Sequence, residues 1–121
     1  MRKKSLYGAA IALFTALLSP LAIGDVANIV AKVNRVLVVA DDRFGGCMAA
    51  LTVDPATVLP ACMPTWVSFS CTGDFTDPVR GYRMLDQAQL ALATGKLVMV
   101  TVVDTSLHNG YCFANRIDVI R

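Results

Sequence analysis

The sequence predicts a small, mainly β domain that carries one α-helix and is cross-linked by disulfides. Three observations point there. Short runs rich in valine recur along the chain, a single segment has helix caps at both ends, and four cysteines fall within 121 residues. The length suits one domain, and there are no repeats, low-complexity runs or linkers to divide it.

The first residues are expected to be a targeting segment and not part of the fold. Arg2, Lys3 and Lys4 make a charged start, residues 11–18 are an apolar run, and Ala22-Ile23-Gly24 offers small residues for cleavage after Gly24. Residues 1–24 therefore read as a secretory signal peptide and residues 25–121 as the mature domain. The apolar run is shorter than the roughly 20 residues of a bilayer span, so an uncleaved anchor is the weaker alternative. Nothing later is long and apolar enough to span a membrane, and the expected location is the periplasm or the outside of the cell. Loss of the three early basic residues takes 11 Lys and Arg to 8 against 9 acids, all aspartate, for a net charge of about −1. That balance argues against a nucleic-acid partner.

In chain order, residues 25–31 either fray or add an edge strand. Residues 32–40, KVNRVLVVA, form a strand, because β-branched side chains favour the pleat. Residues 41–46, DDRFGG, make a turn, with Asp41, Asp42 and Arg43 as a polar tip in preference to a calcium or ligand contact. Residues 47–53 are a second strand completing a hairpin. Pro55, Pro60 and Pro64 make residues 54–64 a loop. Residues 66–71, WVSFSC, alternate as a third strand, with Trp66, Ser68 and Ser70 on one face and Val67, Phe69 and Cys71 on the other. A core position is expected for Trp66, ahead of an exposed ring stacked on sugar.

Asp77 is a good N-cap, Pro78 suits the first helical position, and Gly95 suits a left-handed stop. The helix is thus Pro78–Thr94, about 25 Å long. Gly81, Leu85, Ala88 and Leu92 share its core stripe. From Met84 to Thr94 the only charge is Asp86, so the outer face calls for a cover: either residues from Asp25 onward or neighbouring subunits. Residues 96–104 are a strand so apolar that burial on both faces is expected. Residues 105–110 are a turn ending in Asn109-Gly110, and residues 111–121 are the last strand. The order β, β, β, α, β, β is that of the OB-fold, a five-stranded Greek-key barrel with the helix between strands 3 and 4, and also of a small α+β sandwich.

Four cysteines in a short exported chain read as two disulfides, with three connectivities open. Cys47–Cys62 and Cys71–Cys112 are preferred, the first closing the proline loop on the second strand and the second tying strand three to strand five. No spacing suits a metal, and no cofactor motif is present. The sole histidine, His108, is expected as a solvated turn residue, and no catalytic constellation is expected. Arg80 and Arg83 near the helix start oppose the macrodipole, so they answer either an acidic partner or Asp74 and Asp77.

Met84-Leu85-Asp86-Gln87-Ala88, followed by residues 93–98, ATGKLV, resembles the helix-to-strand passage in the B subunits of AB5-type toxins of the subtilase cytotoxin and typhoid toxin kind. The signal peptide, the Cys47 and Cys62 spacing and a tryptophan before the helix, Trp66, are similar too. The likeness implies an OB-fold, a homopentameric ring with helices around a pore, binding of cell-surface carbohydrate such as sialylated glycans, and a toxin A subunit as partner. The family's sugar-contacting serine and tyrosine have no identical residue here. Asn34 and Thr101 stand near those places with Thr52 between them, and these three are the candidate glycan-binding residues. The alternative is a stand-alone periplasmic or cell-surface OB-fold protein that makes protein–protein contacts.

Overall fold

Alternation of apolar and polar residues accounts for the strands, and local capping accounts for the helix. The computed structural model describes residues 24–121, so the expected signal peptide lies outside the described residues except for Gly24. The elements are β1 (Val26–Val38), β2 (Cys47–Leu51), β3 (Trp66–Ser68), α1 (Pro78–Thr94), β4 (Leu97–His108) and β5 (Tyr111–Ile120). A left-handed turn at Arg43–Gly46 and a short 3-10 turn at Pro55–Thr57 flank β2. The protein is mainly β with one helix.

The strands hydrogen-bond in the order β1-β2-β3-β5-β4, and β4 returns to β1, so the sheet closes into a ring. All pairings are antiparallel except β3 with β5, which meet in parallel at Ser68 and Phe113. Inward-pointing residues fill the ring: Ile29, Ala31 and Val33 of β1, Ala49 and Leu51 of β2, Val67, and Val98, Val100 and Val102 of β4. Each buried valine removes apolar area from water worth roughly 1.5–3 kcal/mol.

Residues 25–31 neither fray nor cover the helix. They are the first half of one long strand, and Val26 to Lys32 pair with Val103 to Leu97. Asp25 N–H donates to Asp104 Oδ1 at 2.7 Å at the strand's start. A bulge between Val33 and Arg35 then changes the phase of β1, so that Val36 turns to the core. β4 is buried on one face only, because its outward residues alternate with Val98, Val100 and Val102 and no second layer of the described residues covers them. It also runs to His108, beyond the expected end at 104. Between Val103 and Leu107 it bulges against β5, which absorbs three extra residues and carries the ladder to the Asn109-Gly110 turn.

The helix keeps its expected bounds. Asp77 Oδ1 accepts from Arg80 N–H at 3.0 Å, and Gly95 takes φ 67° at the C-terminal stop. Gly81, Leu85, Ala88 and Ala91 are buried against β1, β2 and β5. Ala91 replaces the expected Leu92, which is 39% exposed, because the contact line is inclined to the helix axis and drifts around it.

The disulfides are Cys47–Cys71, with Cα atoms 5.7 Å apart, and Cys62–Cys112, at 5.2 Å. The expected pairing of Cys47 with Cys62 and Cys71 with Cys112 is corrected. The reason is tertiary: antiparallel pairing sets the start of β2 beside the end of β3, where Phe69 N–H donates to Cys47 C=O. The proline loop meanwhile docks on the β4–β5 turn, where Met63 N–H donates to Gly110 C=O, and this brings Cys62 to Cys112. Two disulfides fit an oxidising extracellular or periplasmic environment, and no described helix is long and apolar enough to cross a membrane.

Gly81 marks the closest approach of helix to loop. A Cβ there would lie 2.9 Å from Phe69 C=O and 3.0 Å from both Cys71 Cα and Ser70 C=O. All three are backbone atoms, which cannot rotate aside. Helix propensity alone favours Gly81→Ala by about 1 kcal/mol. Overpacking outweighs it, so urea denaturation of the variant is expected to show a net loss of about 1–2 kcal/mol. A gain would disprove the close approach.

Candidate functional site

The outer face of β1, β2 and β3 carries two rows of side chains. Arg35, Ala50 and Trp66 are partners across the three strands, and Leu37, Met48 and Ser68 form the next row. Trp66 is half-buried on this outer face and not in the core, because Val67 and Phe69 occupy the inward phase of the segment. Small Ala50 lies between its two larger neighbours in the ladder. Arg35 Cζ stands 5.6 Å from the centre of the Trp66 ring, within cation–π range.

Two loops close the far end of this face. Phe44, in the turn after β1, packs edge-on to Tyr111 at the start of β5, with ring centres 5.7 Å apart. Its N–H donates to Asn109 Oδ1 and its C=O accepts from Ser68 Oγ, both at 2.8 Å. Together Arg35, Leu37, Phe44, Met48, Trp66 and Tyr111 line a cavity of about 160 Å³. It is aromatic and apolar, with one cation on its wall. Phe44 and Thr65, the residue before Trp66, hold φ of 58° and 74°. Left-handed backbone in a bulky or β-branched residue costs on the order of 1–3 kcal/mol and tends to gather at ligand sites.

Under these loops runs a buried polar relay. Ser70 N–H donates to Ser68 Oγ at 3.2 Å, and Phe75 N–H donates to Ser70 Oγ at 3.0 Å. Ser70 Oγ and His108 Nε2 are 2.9 Å apart. Ser70 Oγ accepts from Phe75 N–H and also bonds His108 Nε2, as donor or acceptor according to the imidazole tautomer. Asp74 Oδ2 lies 3.8 Å from His108 Nδ1, and the Phe75 ring tilts over the imidazole at 4.6 Å. Gly45, at φ 70°, admits this packing: a Cβ would fall 2.5 Å from Ser68 Oγ and 2.6 Å from the His108 ring.

His108 is therefore not a solvated turn residue. It ends β4, is 8% exposed, and faces inward because the preceding bulge re-aims the strand. Serine, histidine and aspartate do converge here, an arrangement invisible in the linear sequence. Ser70 is fully buried and its Oγ accepts from Phe75 N–H, so the trio ties the loops together.

Thr52 pairs with Lys32 close to Asn34, whereas Thr101 lies farther along the sheet beside Asn28. Asn34 is exposed at the β1 bulge. Thr52 Oγ1 accepts from Lys32 N–H at 2.8 Å, and Thr101 Oγ1 donates to Asn28 Oδ1 at 2.7 Å. Asn28 and Asn34 are six residues apart on β1, a span of about 20 Å. Asp41 is engaged by Arg43, whose Nε donates at 2.9 Å, and this hydrogen bond holds the Asp41 carboxyl below its usual range. Among the described residues no cluster of three metal-ligating side chains occurs.

No family model, curated protein or solved structure matches this chain.

Burial lowers the His108 pKa from 6.5, opposed by the neighbouring Asp74 carboxylate. The folded state thus binds its proton less readily than the unfolded chain. Stability should be full above pH 6.5 and fall as pH drops below it, by at most about 1.4 kcal/mol per pH unit from this group. Urea midpoints between pH 8 and pH 5 should show this slope, and His108→Gln should flatten it. An equal slope in the variant would remove the assignment.

Proposed function

We propose that the chain is an exported, non-catalytic OB-fold module that binds carbohydrate on its Trp66 face and acts as a ring-shaped oligomer, like the B subunit of an AB5 toxin. The observation that carries the reading is the half-buried Trp66 beside Arg35, closed in by Phe44 and Tyr111. Aromatic faces take the apolar side of a sugar ring, and guanidinium donors take its hydroxyl oxygens.

The closed order β1-β2-β3-β5-β4, the parallel β3–β5 contact and the position of α1 between β3 and β4 support a Greek-key OB barrel. In such barrels the face of strands 2 and 3, with the loops between strands 1–2 and 4–5, binds oligosaccharides or oligonucleotides. The net charge of about −1 for residues 25–121 favours the sugar. Asn34 and Thr52, near each other at the β1 bulge, and the more distant Thr101 are secondary to the Trp66 cluster in this reading.

Val79, Tyr82, Leu90 and Leu92 point away from the core on α1 and are exposed. Residues 25–31, committed to β1, leave them uncovered. Neighbouring subunits of a homopentamer would bury them. The same exposed side chains favour the second reading, a stand-alone periplasmic or cell-surface protein with a protein partner. A catalytic A subunit encoded in the adjacent reading frame would select the toxin-like reading.

On a glycan array the assembled protein should give discrete hits, and Trp66→Ala should weaken the best of them by about 2 kcal/mol in calorimetry. No hits from an assembled ring would overturn carbohydrate binding. Light scattering of the purified protein should return the mass of a closed oligomer, and a monomer at micromolar concentration would overturn the ring.

A further inference from the structure

A second cleft lies away from the Trp66 face, between the start of α1 and β5. Its volume is about 440 Å³, within the range of small-molecule pockets and larger than a bare oxyanion requires. Arg80, Arg83 and Arg116 border it, and Phe75, Met84 and Phe113 supply apolar surface. Phe75 is 39% exposed, with its ring centre 5.7 Å from that of buried Phe113.

We propose that this cleft binds a small organic carboxylate, its anionic end held by the arginines and its apolar body lying on Phe75. The charge placement is unfavourable for the protein alone. Arg80 and Arg83 sit in the first two turns of α1, whose macrodipole is already positive there. Arg116 adds a third cation from the facing strand. Asp77 lies 3.2 Å from Arg80, and Asp118 lies 2.7 Å from Arg116. The Arg80 pair is exposed and worth little, whereas Asp118 grips Arg116 through both Nε and Nη2; each pair still leaves guanidinium N–H donors free. Arg83 has no ion pair or side-chain hydrogen bond among the described residues.

The strand itself is adapted to the cleft. Between the pairs Thr101–Arg116 and Val102–Ala114, β5 carries one extra residue, Asn115. Such a bulge re-aims the side chains beside it, and both Asn115 and Arg116 line the cleft. A carboxylate is the anion that planar guanidinium forks hold with two parallel hydrogen bonds. The aromatic and thioether surface selects an anion carried on a ring or hydrocarbon body over a fully hydrated one.

The test is an amide NMR titration of the disulfide-intact protein with sodium benzoate, benzyl alcohol and sodium sulfate. Benzoate should give saturable shifts centred on Phe75, Arg83 and Arg116. Benzyl alcohol and sulfate should each bind about tenfold more weakly or not at all. Arg83→Gln and Arg116→Gln should each weaken benzoate about tenfold, whereas Trp66→Ala should leave it unchanged. Arg83 is exposed and unpaired among the described residues, so its variant is expected to fold as the parent does. The proposal is overturned if no saturable shifts appear or if benzyl alcohol equals benzoate. It is equally overturned if sulfate matches benzoate, which would mean a general anion patch, or if both glutamine variants bind as the parent does.

Discussion

The relay from Phe44 C=O through Ser68 and Ser70 to His108 is the interaction on which the loop-bearing end of the molecule depends. It joins three connections that the chain order keeps far apart: the loop after β1, the segment between β3 and α1, and the end of β4. A buried hydroxyl or imidazole without a partner costs about 1–3 kcal/mol, so each member holds the others in place. No described buried side-chain polar atom lacks a partner. The requirement extends to Gly45, whose missing side chain is the space that Ser68 and His108 occupy. Phe44 and Asn109 are thereby delivered to the rim of the Trp66 face as fixed walls. The polar interior thus stands behind an apolar exterior site.

What was legible in the sequence was what local chemistry decides. The bounds of α1 follow from Asp77, Pro78 and Gly95, each acting within one turn of the helix end. The strands were legible as runs of valine, but their extents were not. β1 and β4 are long because they pair with each other through Val26 to Lys32, and nothing in either segment alone announces that partner. The bulges that re-aim Val36, His108 and Arg116 are likewise products of register between distant segments. Cysteine pairing was settled by which strand ends meet, and proximity along the chain was a poor guide. For Trp66 a usable signal was present: the phase it shares with Ser68 and Ser70 is opposite to that of Val67 and Phe69. The preference for burying a lone tryptophan outweighed that alternation. Arg35, in the middle of a valine run, was the other available sign of an outward position. The Ser70, His108 and Asp74 cluster left no such sign, since its members lie on three separate segments.

The distribution of polar and apolar surface divides the molecule into regions with different demands. The Trp66 face is walled by loops and held by the relay. The arginine cleft sits on regular elements, a helix start and a bulged strand, and its cations are largely solvated. The outward side of α1 is apolar, and at its end Leu90 and Thr94 meet Lys96 and residues 119–121 around a further cleft of about 250 Å³. Gly81 links these regions mechanically. It presses α1 against the backbone of residues 69–71, the segment that carries Ser70 into the relay, so a shift of the helix would be felt at the loops.

The two disulfides interleave: the loop closed by Cys47 and Cys71 contains Cys62, whose partner Cys112 lies outside it. Had the bridges followed one another along the chain, a single protease cut between residues 62 and 71 would have released two separate pieces. With this interleaved connectivity, any one cut between residues 47 and 112 is spanned by at least one bridge. A nick in the proline loop, in the segment before α1 or in the helix itself leaves a covalently continuous molecule. For a protein in a compartment rich in proteases, that continuity is a form of durability separate from folding stability.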